Sequence, residues 1–395
     1  MKILHVTPTY FPATRYGGPI VSVHGLCAGL ASHGHDVHVY TTNVDGPGVS
    51  DVPLGKPVER NGVNVWYFAT GIGRRLYRSP AMHEALLRTM CDFDIVHLHA
   101  MFLWPTLAGA RTARRAGVPY VVSPRGMLVA DLIQKRRFLL KTTWISLFDK
   151  ATIVSAASVH VTTPGERDAL LQMKLPARRI DIVPNGIDIG AIPAADPPRE
   201  ERSGGRIRLL SLGRLSWEKG LDRIIRALPI VHDVDLVIAG NDDSGHRAVL
   251  EELASKLQVA ERIHFAGDVR GDAKWRLLRS ADIFVMPSHS ENFGIAALEA
   301  MACAIPVLVT PGVGLATAIE EAGAGLVAEG EPEALATALA SLVRDPGRRL
   351  AMGRAGEVLA RTQYDWSGIA AQMEAVYRAC VMSGKTPNDL VHALA

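Results

Sequence analysis

The chain has 395 residues, and a single hydrophobic core usually stops growing near about 250 to 300 residues, so two domains are expected. Its net charge is only +3, and 48% of its residues are hydrophobic, enough for two cores. The four cysteines, Cys27, Cys91, Cys303 and Cys380, have neither CxxC nor metal-ligand spacing, which excludes a disulfide framework and points to reduced thiols of a cytosolic protein.

In chain order, a strand over residues 3–7 opens the sequence with no basic or long apolar lead, so no signal peptide is expected. A Gly/Pro loop containing Gly17-Gly18 follows, then a helix over 20–32 and strands at 36–41, 63–68, 95–99, 119–123, 158–162 and 180–183. Strands alternating with amphipathic helices predict a parallel, doubly wound α/β sheet. Residues 189–205, with Pro193, Pro197, Pro198 and Ser203-Gly204-Gly205, have linker composition. A second β/α series has strands at 208–212, 236–239, 263–266, 283–286, 306–310 and 325–327. The division is a Rossmann-like domain over 1–188, a linker over 189–205, a second such domain over 206–363, a closing helix over 364–382 and a tail over 383–395. Residues 300–319 are uncharged, but Pro306, Pro311, Gly312 and Gly314 interrupt them, so they read as helix end and buried strand rather than a membrane span.

The most telling stretch is Pro287-Ser288-His289-Ser290-Glu291-Asn292-Phe293-Gly294-Ile295, running on to Glu299. It reads as strand, loop and helix, with Glu291 on the loop and Glu299 two turns into the helix. The first helical N–H groups have no intrahelical partner and lie at the positive end of the macrodipole, which suits a phosphate. Glu299 could accept two hydrogen bonds from sugar hydroxyls. Upstream, Leu212-Gly213-Arg214-Leu215-Ser216-Trp217-Glu218-Lys219-Gly220 puts two cations beside another helix start, able to neutralise a diphosphate without a metal ion. Taken singly, each of these charges could also be a solvated surface residue.

Together these segments resemble the retaining glycosyltransferases of family 4, which have the GT-B architecture of two Rossmann-like domains facing across a cleft. The resemblance rests on Glu291 and Glu299 with Phe293-Gly294, on Gly213-Arg214 and Lys219-Gly220, on Pro184-Asn185-Gly186-Ile187-Asp188 and on Gly17-Gly18, all in the family order. It implies that Arg214 and Lys219 bind the donor diphosphate, Glu299 the ribose, and Glu291 with the Asn292-Phe293-Gly294-Ile295 backbone the donor sugar and phosphate. Gly17 and Gly18 would close over the phosphate, and the last helix would pack back on the first domain. Glu291, His99, Arg214 and Lys219 would be the catalytic set, with Glu291 positioning the donor rather than attacking it.

In the first half, His97 and His99 share one face of a strand, and His99 stands nearer its carboxyl end, where open α/β sheets bind ligands. His97 reads as packed, His99 as a contact to donor sugar or acceptor. Ser123-Pro124-Arg125-Gly126 follows the next strand, and Arg125 stands where many family members have His, which puts any His role there in doubt. A fixed cation there suits a carboxylate or phosphate, making Arg125 and Gly126 candidate acceptor contacts; a structural ion pair is the alternative.

From residue 101 to 150 there are nine basic and two acidic residues. The stretch 132–149 mixes Lys135, Arg136, Arg137 and Lys141 with large apolar residues, as an interfacial helix on anionic headgroups would, although a helix with its apolar face on the core has the same pattern. No nucleic-acid recognition pattern accompanies this charge. Asp92-Phe93-Asp94 and Asp233-Val234-Asp235 lie at the amino ends of strands and read as solvated turns, so no metal is expected. Neither half carries a dinucleotide fingerprint, so no cofactor is expected.

The expected function is therefore cytoplasmic, metal-independent retaining hexosyl transfer from a nucleotide diphosphate sugar to a glycan or lipid-linked glycan, in lipopolysaccharide or exopolysaccharide assembly. Peripheral contact with the inner face of the plasma membrane through 132–149 accompanies that reading. A nucleotide-sugar 2-epimerase of the same fold and a non-catalytic nucleotide-sugar-binding module at the membrane are the alternatives.

Overall fold

The computed structural model describes residues 1–128, 143–193, 205–242 and 245–384. Two compact units divide it: Met1–Gly186 with the chain from Trp366 onward, and Ile187–Asp365. Residues 132–142 of the basic stretch, 194–204 of the linker and 385–395 of the tail lie outside the described residues.

The first unit is built on eight strands: β1 (Lys2–Val6), β2 (Asp36–Thr42), β5 (Pro57–Arg60), β6 (Val63–Phe68), β7 (Ile95–His99), β8 (Tyr120–Ser123), β9 (Ser158–Val161) and β10 (Ile180–Ile182). Their order is β10-β9-β8-β7-β1-β2-β6-β5, parallel except for β5, which pairs antiparallel at the edge. A small hairpin, β3 (Val44–Asp45) with β4 (Gly48–Val49), stands apart. Neither β5 nor the hairpin was legible in the apolar pattern, because Pro57–Arg60 and Gly48–Val49 are short and half-buried or exposed. The helices are α1 (Gly18–Ser32), α2 (Pro80–Thr89), α3 (Trp104–Ala116), α4 (Lys150–Val154, after a π turn over Ile145–Asp149) and α5 (Pro164–Gln172).

The second unit has six parallel strands: β11 (Ile207–Leu212), β12 (Val234–Ala239), β13 (Ile263–Gly267), β14 (Ile283–Met286), β15 (Val307–Val309) and β16 (Gly325–Val327), in the order β13-β12-β11-β14-β15-β16. Its helices are α6 (Leu221–Ala227), α7 (His246–Lys256), α8 (Gly271–Ser280), α9 (Ile295–Ala302), α10 (Ala316–Glu321), α11 (Pro332–Arg344) and α12 (Pro346–Gln363). Ile187 lies in this unit's core and Ile189 and Ile192 pack against it, so the amino end of the expected linker is bound to the second sheet. The apolar run near residue 306 is the buried parallel strand β15, and among the described residues no helix is long and apolar enough to cross a membrane.

The last helix, α13 (Trp366–Gly384), belongs to the first unit. Trp366, Ile369, Ala370, Met373, Val376, Tyr377 and Cys380 recur at helical spacing and are buried with Val23, Leu26, Cys27 and Leu30 of α1. Burying one such Met or Ile stabilises the pair by about 1.5 to 3 kcal/mol. Close approach needs Gly25 on α1, since a Cβ there would sit 2.1 Å from the Trp366 ring.

Candidate functional site

In the second unit β11 has β12 on one side and β14 on the other, so the strand order reverses between β11 and β14, a topological switch point. Such a point leaves a crevice at the carboxyl ends of the strands. Arg214 and Lys219 from the first loop and Ser288 from the second line one concavity there, with Ser211, Gly213 and Met286. A neighbouring cavity of about 230 Å³ is lined by Gly240, Asn241, Arg247, Phe265 and Asp268, among others.

Local chemistry explains the loop. Trp217–Lys219 form one 3-10 turn that ends at Gly220, in the left-handed region at φ 60°. A Cβ at Gly220 would lie 2.1 Å from the Pro287 carbonyl, so only glycine lets the two loops meet. His289 N–H donates to the Glu218 carbonyl at 2.8 Å, tying the loops together.

Lys219 Nζ donates to Glu291 Oε2, and both side chains are only about one fifth exposed, at 22% and 19%. The Glu291 backbone is fixed by an N–H bond to the Gly312 carbonyl (2.8 Å) and by accepting from Gly314 N–H (2.9 Å). Arg214 is exposed and makes no hydrogen bond or ion pair among the described residues. Glu299 is buried at 8% exposure on α9, and Lys274 Nζ of α8 donates to it at 2.7 Å. Phe293 turns its ring into the core against Tyr364, so only its backbone can serve a ligand. Gly294 caps α9 and Ile295 begins it, half-buried; Asn292 is half-buried beside them. Sequence reasoning missed two residues here. Lys274 gave no signal because its distance in sequence from Glu299 hides the contact, and Ser288, 1% exposed with an Oγ that has no partner among the described residues, reads from sequence only as loop.

In the first unit the switch point lies between β1 and β7. There the fold assembles a buried imidazole cluster, His5, His97, His99 and His160, that sequence spacing did not reveal. Two chains of hydrogen bonds run through it, and their ends fix their direction. The Val183 carbonyl can only accept, so His160 Nε2–H donates to it (2.8 Å) and His160 Nδ1 accepts from Ser123 Oγ (2.6 Å). Ser123 then accepts from His97 Nε2 (2.6 Å), and His97 Nδ1 accepts from the Tyr377 hydroxyl (2.6 Å). In the second chain Arg125 can only donate, so His99 Nδ1 accepts from its Nη2 (3.4 Å) and His99 Nε2–H donates to His5 Nδ1 (2.9 Å). His5 Nε2 is left buried without a partner among the described residues.

Burial first, then the Arg125 charge, lowers His5 and His160 to about 3, while burial and neighbouring charges hold His97 and His99 well below the usual imidazole range. All four are neutral at pH 7. The ring nitrogens of His5, His97 and His99 lie within 4.8 Å of one another, as metal ligands would. Each of the three lone pairs already accepts a hydrogen bond and Arg125 stands beside them, so this arrangement fits a proton-ordered network better than a cation site.

The structure thus brings His99 and Arg125 together, with His99 buried rather than at an open strand tip. Gly126 N–H donates to Glu166 Oε1 at 2.6 Å, so that group is committed within the fold. Gly17 precedes α1 at φ 70° and Gly18 opens the helix, whose Ser22 hydroxyl accepts from Arg125 Nη1 at 3.4 Å. Asp94 accepts from Lys2 N–H (2.7 Å) and Asp235 pairs with Arg206 (3.1 Å) at the amino ends of their strands.

Residues 194–358 match the family described as glycosyl transferases group 1, and residues 17–186 match the glycosyl transferase 4-like domain. An uncharacterized glycosyltransferase of Methanocaldococcus jannaschii is 29% identical, covering 98% of this chain and all of the relative. D-inositol 3-phosphate glycosyltransferase of an Arthrobacter strain is 28% identical over 96% and 94% of the two chains. Sucrose-phosphate synthase from Thermosynechococcus elongatus superposes with a TM-score of 0.80 at 20% identity, over 97% of this chain and 100% of that one. Anabaena HepE, in complex with UDP and glucose, gives 0.76 at 18% identity, over 96% and 100%.

Proposed function

We infer the reaction from one premise: the chain belongs to the glycosyl transferases group 1, carries a glycosyl transferase 4-like domain ahead of that region, and has the GT-B fold. It moves a hexosyl group from a nucleoside diphosphate sugar to an acceptor hydroxyl, with retention at the anomeric carbon and without a metal ion. The observation that carries this reading is the β11/β14 junction, where Arg214, Lys219 and the buried Ser288 share one concavity and Lys219 pairs with the half-buried Glu291 carboxylate.

Fixed cations stabilise charge as it develops on the departing diphosphate, usually the largest single contribution to such a transfer. Arg214 and Lys219 have that role, Glu299 accepts from ribose hydroxyls, and Glu291 with the Asn292-Phe293-Gly294-Ile295 backbone positions the donor sugar. Gly17 and Gly18 contact the donor phosphate, and His99 orients the reacting sugar or acceptor through Arg125 and His5. The acceptor is bound by the first unit. UDP is the first nucleotide to try, because HepE holds it. The acceptor class is a glycan or lipid-linked glycan of lipopolysaccharide or exopolysaccharide assembly, and the site of action is the cytoplasm.

Thermal stabilisation by a panel of nucleotides and nucleotide sugars, with EDTA present, tests the donor assignment. A nucleoside diphosphate should raise the Tm of the wild type and much less that of Glu299→Ala and Lys219→Ala. If no nucleotide shifts the wild type at millimolar concentration, the donor site and the transferase reading are withdrawn.

A further inference from the structure

Arg125 carries a charge that the fold has fixed in place but not neutralised. It occupies the turn after β8 in the left-handed region, at φ 55°, and is partly exposed at the carboxyl end of the first sheet. Its Nη1 donates to Asn185 Oδ1 at 2.7 Å and to Ser22 Oγ at 3.4 Å, and its Nη2 to His99 Nδ1 at 3.4 Å. Its Nε is buried with no partner among the described residues. Among the described residues no carboxylate forms an ion pair with it.

The acid that acts on it electrostatically is Glu166, whose carboxylate already accepts from Gly126 N–H (2.6 Å), Thr162 N–H (2.8 Å) and the Thr162 hydroxyl (3.0 Å). The surrounding side chains are neutral: three imidazoles with lowered pKa values, one amide and one hydroxyl. A largely desolvated cation whose acting acid already accepts hydrogen bonds elsewhere is stabilised when a further anion pairs with it. Three side chains on three different elements orient the guanidinium without cancelling its charge, which is how a receptor for a planar or tetrahedral anion is built.

We propose that Arg125, oriented by Asn185, Ser22 and His99, is an anion subsite and that the acceptor carries a carboxylate or phosphate group. This rests on the reading of the first unit as the acceptor-binding half. A structural ion pair, the alternative open from sequence, has no partner among the described residues. The site would distinguish a charged acceptor from its neutral analogue because only the charged one supplies the ion-pair partner that Arg125 lacks among the described residues.

The test is thermal stabilisation by inorganic phosphate, by glucuronate and by neutral glucose, on the wild type, Arg125→Gln, Arg125→Lys and Lys219→Ala, each with a parallel UDP titration. Phosphate or glucuronate at tens of millimolar should raise the wild-type and Lys219→Ala Tm by about 2 °C or more. The shift should vanish in Arg125→Gln and shrink in Arg125→Lys, which keeps the charge but loses the fork. Which anion acts separates a phosphorylated acceptor from a uronate-type one. Equal shifts in Arg125→Gln and wild type, or no wild-type shift with either anion, overturn the proposal. UDP shifts that persist in Arg125→Gln show that its donor half is folded. Failure of UDP in the wild type counts against the transferase reading, not against this subsite.

Discussion

Glu291→Gln should tighten binding of a free nucleoside diphosphate while slowing transfer. In the unliganded site Lys219 is held by the Glu291 carboxylate, and both are about four fifths buried, at 22% and 19% exposure. To grip a diphosphate, Lys219 must share or leave that partner. Well-exposed pairs are worth about 0.2 to 1 kcal/mol, and a pair this enclosed about 1 to 2. Glutamine keeps an acceptor in place but removes the competing charge and the repulsion between carboxylate and phosphate. A gain of about 1 to 2 kcal/mol corresponds to roughly 5- to 30-fold lower Kd. Isothermal titration of UDP into wild type, Glu291→Gln and Lys219→Ala measures it directly, and turnover of UDP-sugar should fall in Glu291→Gln because donor positioning is lost. Unchanged or weaker UDP binding in Glu291→Gln would refute the view that this carboxylate restrains the phosphate-binding lysine.

Other outcomes follow from the same geometry. Lys274→Met strands the buried Glu299 carboxylate (2.7 Å pair, 8% exposed) and should cost about 2 to 4 kcal/mol, with much of it recovered in the Lys274→Met, Glu299→Gln double variant; additive losses in denaturant titrations would sink the coupling. Gly220→Ala meets both a left-handed backbone and the Pro287 carbonyl, so the second unit should lose about 2 to 4 kcal/mol, and an unaltered melt would contradict the loop geometry. Acid should weaken the first unit. His5 and His160 stay neutral down to about 3, whereas the unfolded chain protonates near 6.5, so stability falls as pH drops through that window by about 1.4 kcal/mol per group per unit. Asp149, pushed up to about 7 chiefly by burial, opposes this by binding its proton first in the folded state. Asp149→Asn should therefore steepen the decline in Tm between pH 7.5 and 5.5, and a shallower one rejects the sign. Vesicle flotation of the wild type and a triple Ala variant at Lys135, Arg136 and Arg137 tests peripheral anchoring; equal recovery in the soluble fraction ends that idea.

The sequence by itself determined the two doubly wound units, the places of β11 and β14, and the junction residues Arg214, Lys219 and Glu291. Strand runs, turn glycines and helix starts are local signals, and a ligand crevice lies where such signals end. It also located His99 and Arg125 at their strand ends. What only the tertiary structure decided was which charges are already satisfied. Lys274 meets Glu299, and His5, His97, His99, Ser123, His160 and Tyr377 are joined in two hydrogen-bond chains, from β1, β7, β8, β9 and α13. Burial and pairing depend on neighbours distant along the chain: parallel strands bring together residues 26 to 94 positions apart, and the last helix returns Tyr377 to His97 across 280, with no repeating pattern to announce them. The short edge strand Pro57–Arg60 was lost for a related reason, since half-buried edge strands lack the apolar run that marks interior ones.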